Sequence, residues 1–143
     1  MRSPDVIARA CLVAVCSLVI AVPVWAQRTL DEAAQRVRSA WVSHDAGTLA
    51  SSGDSLSLRL PGIEEVTVGS AQASRLLNRY LQPSSERSFD LRSVRTTGEE
   101  QGFVEAARRY VVRGTSDEVA ETVFLGFRRS AGRWRLTEIR VAP

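Results

Sequence analysis

His44 is the chain's only imidazole, and Asp45 follows it directly. A histidine oriented by a carboxylate is a common general base. Neighbouring positions on a helix diverge, however. The pair therefore reads first as a cation at a helix C-terminus beside an acceptor for the next turn. Trp41 and Tyr80 lie on the apolar stripes of two expected helices, where aromatic residues usually pack into a core and where a tyrosine hydroxyl can also donate to a ligand. Arg108, Tyr110, Glu121 and Glu138 are polar residues in strand-like runs that are otherwise apolar on both parities. Alternation puts Arg108 and Tyr110 on one face with Val104, Ala106 and Val112. If that face is concave, Arg108 either pairs with Glu121 or Glu138 across the ladder or keeps its fork for a carboxylate or phosphate ligand. The cost of a buried unpaired charge favours pairing. If the other face is concave, Arg109 takes its place and Tyr110 leaves the pocket. The pocket candidates are thus Trp41, Tyr80, Arg108, Tyr110 and Glu138. General acid/base work would draw on His44, Tyr80, Tyr110 or Glu138, and no residue is assigned a catalytic role.

Other chemistry is excluded more firmly. Every one of the 19 basic residues is arginine, so a Schiff-base or phosphate-loop lysine is absent. No nucleophile elbow, Ser-x-x-Lys, His-Glu-x-x-His or glycine-rich dinucleotide motif occurs. One histidine and two cysteines give no basis for a metal site, and no cofactor is expected. Arg128, Arg129, Arg133 and Arg135 flank the last expected hairpin. They form either a solvated tip or a contact for an anionic surface such as lipid headgroups or an acidic envelope polymer. A net charge of only +3 argues against nucleic acid.

These side chains must be placed by a short series of elements. With 143 residues, 44% of them hydrophobic and 24% charged, the chain has the profile of one globular domain. Thr29-Leu30-Asp31-Glu32 reads as a capping box opening a helix, whose stripe is Leu30, Ala33, Ala34, Val37 and Trp41, with Gly47 as a stop. One further helical turn follows at Thr48-Leu49-Ala50. A short strand alternates Leu56, Leu58 and Leu60 before the Pro61-Gly62 turn. Ser70 caps a second helix striped by Ala73, Leu76, Leu77, Tyr80 and Leu81, with Pro83 beyond its end. Four strands are expected at Phe89–Thr96, Phe103–Arg113, Val119–Arg128 and Arg133–Val141. Short connections make them an antiparallel meander. In the last one the apolar parity switches near Thr137-Glu138, as a β-bulge requires. Helices first and strands afterwards is an α+β order.

The N-terminus reads as an export leader. Arg2 and Arg9 precede an uncharged apolar run beginning at Ala10, then Pro23 and Val24-Trp25-Ala26, with cleavage expected after Ala26. A retained anchor is the competing reading, since the uncharged run to Gln27 just reaches spanning length. Residues 1–26 are thus expected to be a secretory signal and 27–143 a single exported domain, periplasmic or extracellular. That domain would be soluble and touch membrane only through the leader before cleavage.

Trp41, Asp45, Leu49-Ala50, Pro61-Gly62, the Gln72-Ala73 helix and the terminal Trp134-Arg135-Leu136 together resemble the nuclear transport factor 2-like superfamily, the cystatin-like cone fold. The segments Gln72-Ala73, Glu121 to Leu125 and Gly132 to Leu136 are similar to a small exported bacterial family of unknown function. The resemblance implies N-terminal helices on the concave side of a curved, mainly antiparallel sheet enclosing a pocket. Some relatives use that pocket for isomerase, dehydratase or hydrolase chemistry and many only bind. The function expected here is non-catalytic binding of a small ligand or a protein partner through the cone pocket or the sheet face. Two alternatives stand beside it: a cavity enzyme with general acid/base chemistry on a small apolar substrate, and a structural envelope module that forms a homodimer through its sheet.

Overall fold

The computed structural model describes residues 24–143. Most of the expected leader therefore lies outside the described residues. The elements run α1 (Val24–Val42), α2 (Ala46–Ala50), β1 (Ser55–Arg59), β2 (Val66–Gly69), α3 (Ser70–Leu81), β3 (Ser84–Thr97), β4 (Gln101–Val112), β5 (Glu118–Ser130) and β6 (Arg133–Ala142). The six strands form one open, curved sheet in the order β2-β1-β6-β5-β4-β3. Every neighbouring pair is antiparallel except β1 with β6, where Ser57 to Arg59 run parallel to Glu138 to Arg140. Among the described residues no helix is long and apolar enough to cross a membrane.

The helical stripes face inward as their spacing requires. Leu30, Ala33, Ala34, Val37, Ala40 and Trp41 of α1 are buried, as are Ala73, Leu77 and Leu81 of α3. On the sheet, burial follows the two-residue period. Val104, Ala106 and Arg108 of β4 and Val123, Leu125 and Phe127 of β5 all lie on the helix-covered face. Gly102, buried near the start of β4, brings α1 close: a Cβ there would sit 2.7 Å from Leu30 Cδ2. Glycine therefore sets how deeply α1 docks at this end of the sheet.

The expected parity switch in the last strand is present. Gly126 pairs with Glu138 while Phe127 pairs with Leu136, which leaves Thr137 as the extra residue. Its hydroxyl donates to the Gly126 carbonyl at 3.2 Å. Trp134 and Leu136 before the bulge and Ile139 and Val141 after it are all buried, so the bulge keeps one apolar face through a bend.

Several local signals are superseded. Helix α1 already runs through Thr29, so Thr29-Leu30-Asp31-Glu32 is not its start. α1 ends at Val42, the chain turns through His44, whose φ of 55° is left-handed, and Gly47 falls inside α2. Gly69 occupies the N-cap of α3, and the Ser70 hydroxyl instead donates to the Gly53 carbonyl. Strand β2 was not anticipated. At four residues it is too short to show a period, and it exists because β1 offers it an edge. Strand β3 begins at Ser84, immediately after Pro83, rather than at Phe89.

Replacing Gly102 with alanine should cost about 1–3 kcal/mol in denaturant unfolding, because Leu30 is fully buried and must move. An unchanged midpoint would show that α1 is not docked by this contact.

Candidate binding site

The inner face of the sheet carries one charged group deep in the molecule. Arg108 is 0% exposed, and β4 projects it beneath α1 and α3 among three aromatic rings. Its guanidinium carbon lies 3.9 Å from the Tyr110 ring centroid, 5.1 Å from that of Tyr80 and 5.5 Å from that of Trp41. A guanidinium has five N–H donors in a fixed fork, and all of them are engaged. Nε donates to both carboxylate oxygens of Glu86 at 3.1 Å. Nη2 donates to the Ser84 hydroxyl at 2.7 Å and to Glu86 Oε1. Nη1 donates to the Tyr80 hydroxyl at 2.7 Å and to Glu121 Oε2 at 3.0 Å.

The acids are anchored in turn. Tyr80 donates to Glu121 Oε2, and Tyr110 donates to Glu121 Oε1 at 3.2 Å. Glu86 Oε1 also meets His44 Nε2 at 3.2 Å and the Ser84 hydroxyl at 3.2 Å. The side chains of Glu86 and Glu121 are only 6% and 8% exposed. Burial by itself lowers the affinity of Arg108 for its proton, but the Glu86 hydrogen bond, Tyr80 and the two carboxylate charges outweigh it, holding the group above its ordinary value. Burial, together with the Glu121 carboxylate, raises both tyrosines and outweighs the opposing pull of Arg108. They are neutral donors at any physiological pH.

Four of the five pocket candidates come together here: Trp41, Tyr80, Arg108 and Tyr110. Glu138 does not. It lies across from Gly126 on the outer face, in a shallow cleft with Phe124 and Arg140, because the Thr137 bulge resets the parity behind it. Of the two cross-strand partners considered for Arg108, Glu121 is the one in place, directly opposite in register. His44 and Asp45 do diverge. Asp45 caps α2, accepting from the Thr48 amide at 3.0 Å and from its hydroxyl at 2.6 Å. Those two bonds hold Asp45 below its ordinary value, while His44 turns to Glu86.

Glu86 and Ser84 were not anticipated. Counting back from the β3–β4 turn in unbroken register would set Asp90 opposite Arg108. Two register shifts, after Glu86 and after Leu91, put Phe89 there instead and carry Glu86 alongside. The acidic residue within a strand start was the available signal, but bulges are not legible in alternation. Among the described residues one buried side-chain polar atom stays unmatched: Trp41 Nε1 has no hydrogen-bond partner. Among the described residues no group of three or more His, Cys, Asp and Glu could hold a metal ion.

With this geometry the class is defined: the fold is nuclear transport factor 2-like. The chain superposes on a ketosteroid isomerase-like protein from Erwinia carotovora atroseptica with a TM-score of 0.68 at 18% identity, covering 80% of this chain and 93% of that one. An NTF2-like family protein from Streptomyces avermitilis matches with a TM-score of 0.67 at 17% identity, over 85% and 98% of the two chains. A DUF4783 family protein from Bacteroides uniformis matches with a TM-score of 0.63 at 17% identity, over 74% and 92%. No family model matches the chain, and no curated protein matches it in sequence.

Arg108→Met should destabilise the fold by about 3–5 kcal/mol near neutral pH, because it strands two buried carboxylates. Adding Glu86→Gln and Glu121→Gln should restore much of that loss, whereas a triple variant as unstable as the single one would refute the charge argument. The chain's only two tyrosines are Tyr80 and Tyr110, so the rise in absorbance at 295 nm with pH reads them alone against a constant tryptophan background. Since both ionise later when folded, their contribution is complete below the unfolded value of about 10 and is lost as pH climbs through the higher native values. Native tyrosinate should therefore appear well above the pH at which it appears in denaturant.

Proposed function

We propose that the chain is an exported, non-catalytic interaction domain that binds through the outer face of its sheet, with a second copy of itself as partner. Export follows from the leader-like N-terminal sequence. The cone interior is a poor place for ligand at the Arg108 end, since its guanidinium has no donor left for an incoming anion. The observation that carries the reading is on the opposite face. Phe103 is 48% exposed and lies in a cross-sheet row of Arg95, Phe103, Gly126 and Glu138.

That row is complementary to itself. A two-fold axis parallel to the strands, between β4 and β5, lays Phe103 over the partner subunit's Gly126 and Arg95 over the partner subunit's Glu138. The knob thus meets the glycine of the row, over which the Glu138 side chain lies, and opposite charges meet at the ends. In the next row Phe124 lies under the guanidinium of Arg140, whose carbon is 4.9 Å from the ring centroid, which leaves Phe103 as the projecting apolar group.

Sedimentation equilibrium should find a dimer that Phe103→Glu converts to monomer. Glu138→Arg alone should weaken the dimer several-fold, and Arg95→Glu together with Glu138→Arg should restore it. A monomer at high concentration, or a charge-swap pair no better than the single change, would discard the arrangement.

One observation favours the enzyme reading. His44 Nε2 is held by Glu86 with the imidazole 19% exposed, an arrangement of base and orienting carboxylate, and the Erwinia neighbour carries an isomerase-like name. On that reading His44→Ala would abolish turnover of a small apolar substrate while leaving the dimer intact.

A further inference from the structure

At the opposite end of α1 from His44, a cleft of about 510 Å³ opens between the helix, the α2–β1 connection and the β5–β6 hairpin. Its size is that of a small-molecule site. Three arginines line it from two elements: Arg36 of α1, and Arg133 and Arg135 from the start of β6. A single acid, Glu32, and the serines Ser51 and Ser52 complete its polar wall.

Elsewhere in the molecule several arginines are engaged. Arg108 binds Glu86 and Glu121, Arg109 pairs with Glu118 at 2.7 Å, and Arg38 donates to the Phe89 carbonyl at 2.8 Å. In the cleft none of the three forms an ion pair with a described residue, and Arg135 reaches only the Ser52 carbonyl at 3.4 Å. Glu32 stands one turn before Arg36, yet the two are not paired. The wall behind them is fixed, because Trp134 is buried and its Nε1 donates to the Thr29 hydroxyl at 3.1 Å. A rigid wall under three like charges is built to receive an anion.

The cleft also has a second compartment. Arg36, Ser52 and Trp134 are shared with a recess of about 80 Å³ whose remaining lining includes Ala33, Val37, Leu49, Phe127 and Leu136. Polar head space thus adjoins apolar tail space.

The geometry points to a binding site for a small amphipathic anion, a carboxylate or phosphate head on a short alkyl group. The head is held by the guanidinium forks of Arg36, Arg133 and Arg135 and by the Ser52 hydroxyl, the Ser51 hydroxyl being given to the Thr48 carbonyl. The tail enters the recess beside Leu49 and Phe127. This site goes beyond the proposed dimer and uses a different surface.

Calorimetric titration of the purified protein with butyl phosphate, inorganic phosphate, valerate and acetate tests it. Each butyl-bearing probe should bind about 10-fold more tightly than its headgroup alone, since the recess removes methylenes from water. The stronger head, phosphate or carboxylate, identifies the source of the ligand. Arg36→Ala with Arg135→Ala should weaken every probe at least 10-fold while leaving the melting temperature nearly unchanged, because both side chains are exposed. Ala33→Leu, which fills the recess, should remove the alkyl advantage and keep head binding. If that variant fails to fold, the ratio of alkyl to headgroup affinity still decides the point. Phe103→Glu should bind as the unaltered protein does, so a failed dimer and a failed anion site remain separate results. No binding of any probe, equal affinity for phosphate and butyl phosphate, or binding indifferent to the two arginine changes would overturn the proposal.

Discussion

A cation with no access to water dictates how the two halves of this protein meet. Arg108 on β4 requires an oxygen acceptor for each N–H, and those acceptors come from α3, from the start of β3 and from β5. Helix and strands are therefore held at one relative position, since sliding either by a residue would strand a charge. Apolar packing of Leu77, Phe89 and Leu125 supplies cohesion without that specificity. The ring stack of Tyr110, Tyr80 and Trp41 makes the same place tolerable for a guanidinium, offering π faces where water is excluded. Net stabilisation is not implied by such an arrangement. Its effect is to penalise every alternative.

The consequence for function is a division of surfaces. A cone whose inner charge is saturated has little left with which to recognise an ion at that point, and its tyrosines serve as donors inside the network. On the proposed reading, recognition falls to the exposed sheet with Phe103 and to the cleft beside α1, where three arginines face a single acid, Glu32. Both places combine chemical groups that the interior has already neutralised.

Much of the architecture was legible in the sequence because it rests on period. The stripes of α1 and α3, the meander from β3 to β6 and the parity switch at Thr137 all follow from apolar spacing alone; spacing also puts Arg108 and Tyr110 on one face, but not which face is inward, because β4 is apolar on both parities. The misses share a different cause. The start of α1 failed because Thr29 and Glu32 satisfy a local rule while the chain before them is helical anyway. Glu138 drew attention as a polar residue in a run apolar on both parities, and such a run does not say on which face the residue falls; the Thr137 bulge sets it on the outer one. Glu86 escaped because two irregularities in β3 displace it from the partner that simple alternation would assign. Local propensity and alternation are properties of a segment. Register is a property of a pair, and nothing in one strand announces where its neighbour slips.

The strand order carries a temporal meaning. β6, the last element along the chain, lies third in the sheet and joins β1 on one side to β5 on the other. Until its residues are available, β1 and β2 have α3 to pack on but no neighbouring strand beyond their own hairpin, and the β3 to β5 ribbon has an open flank. A polypeptide emerging from the ribosome cannot close this six-stranded sheet before β6 has emerged.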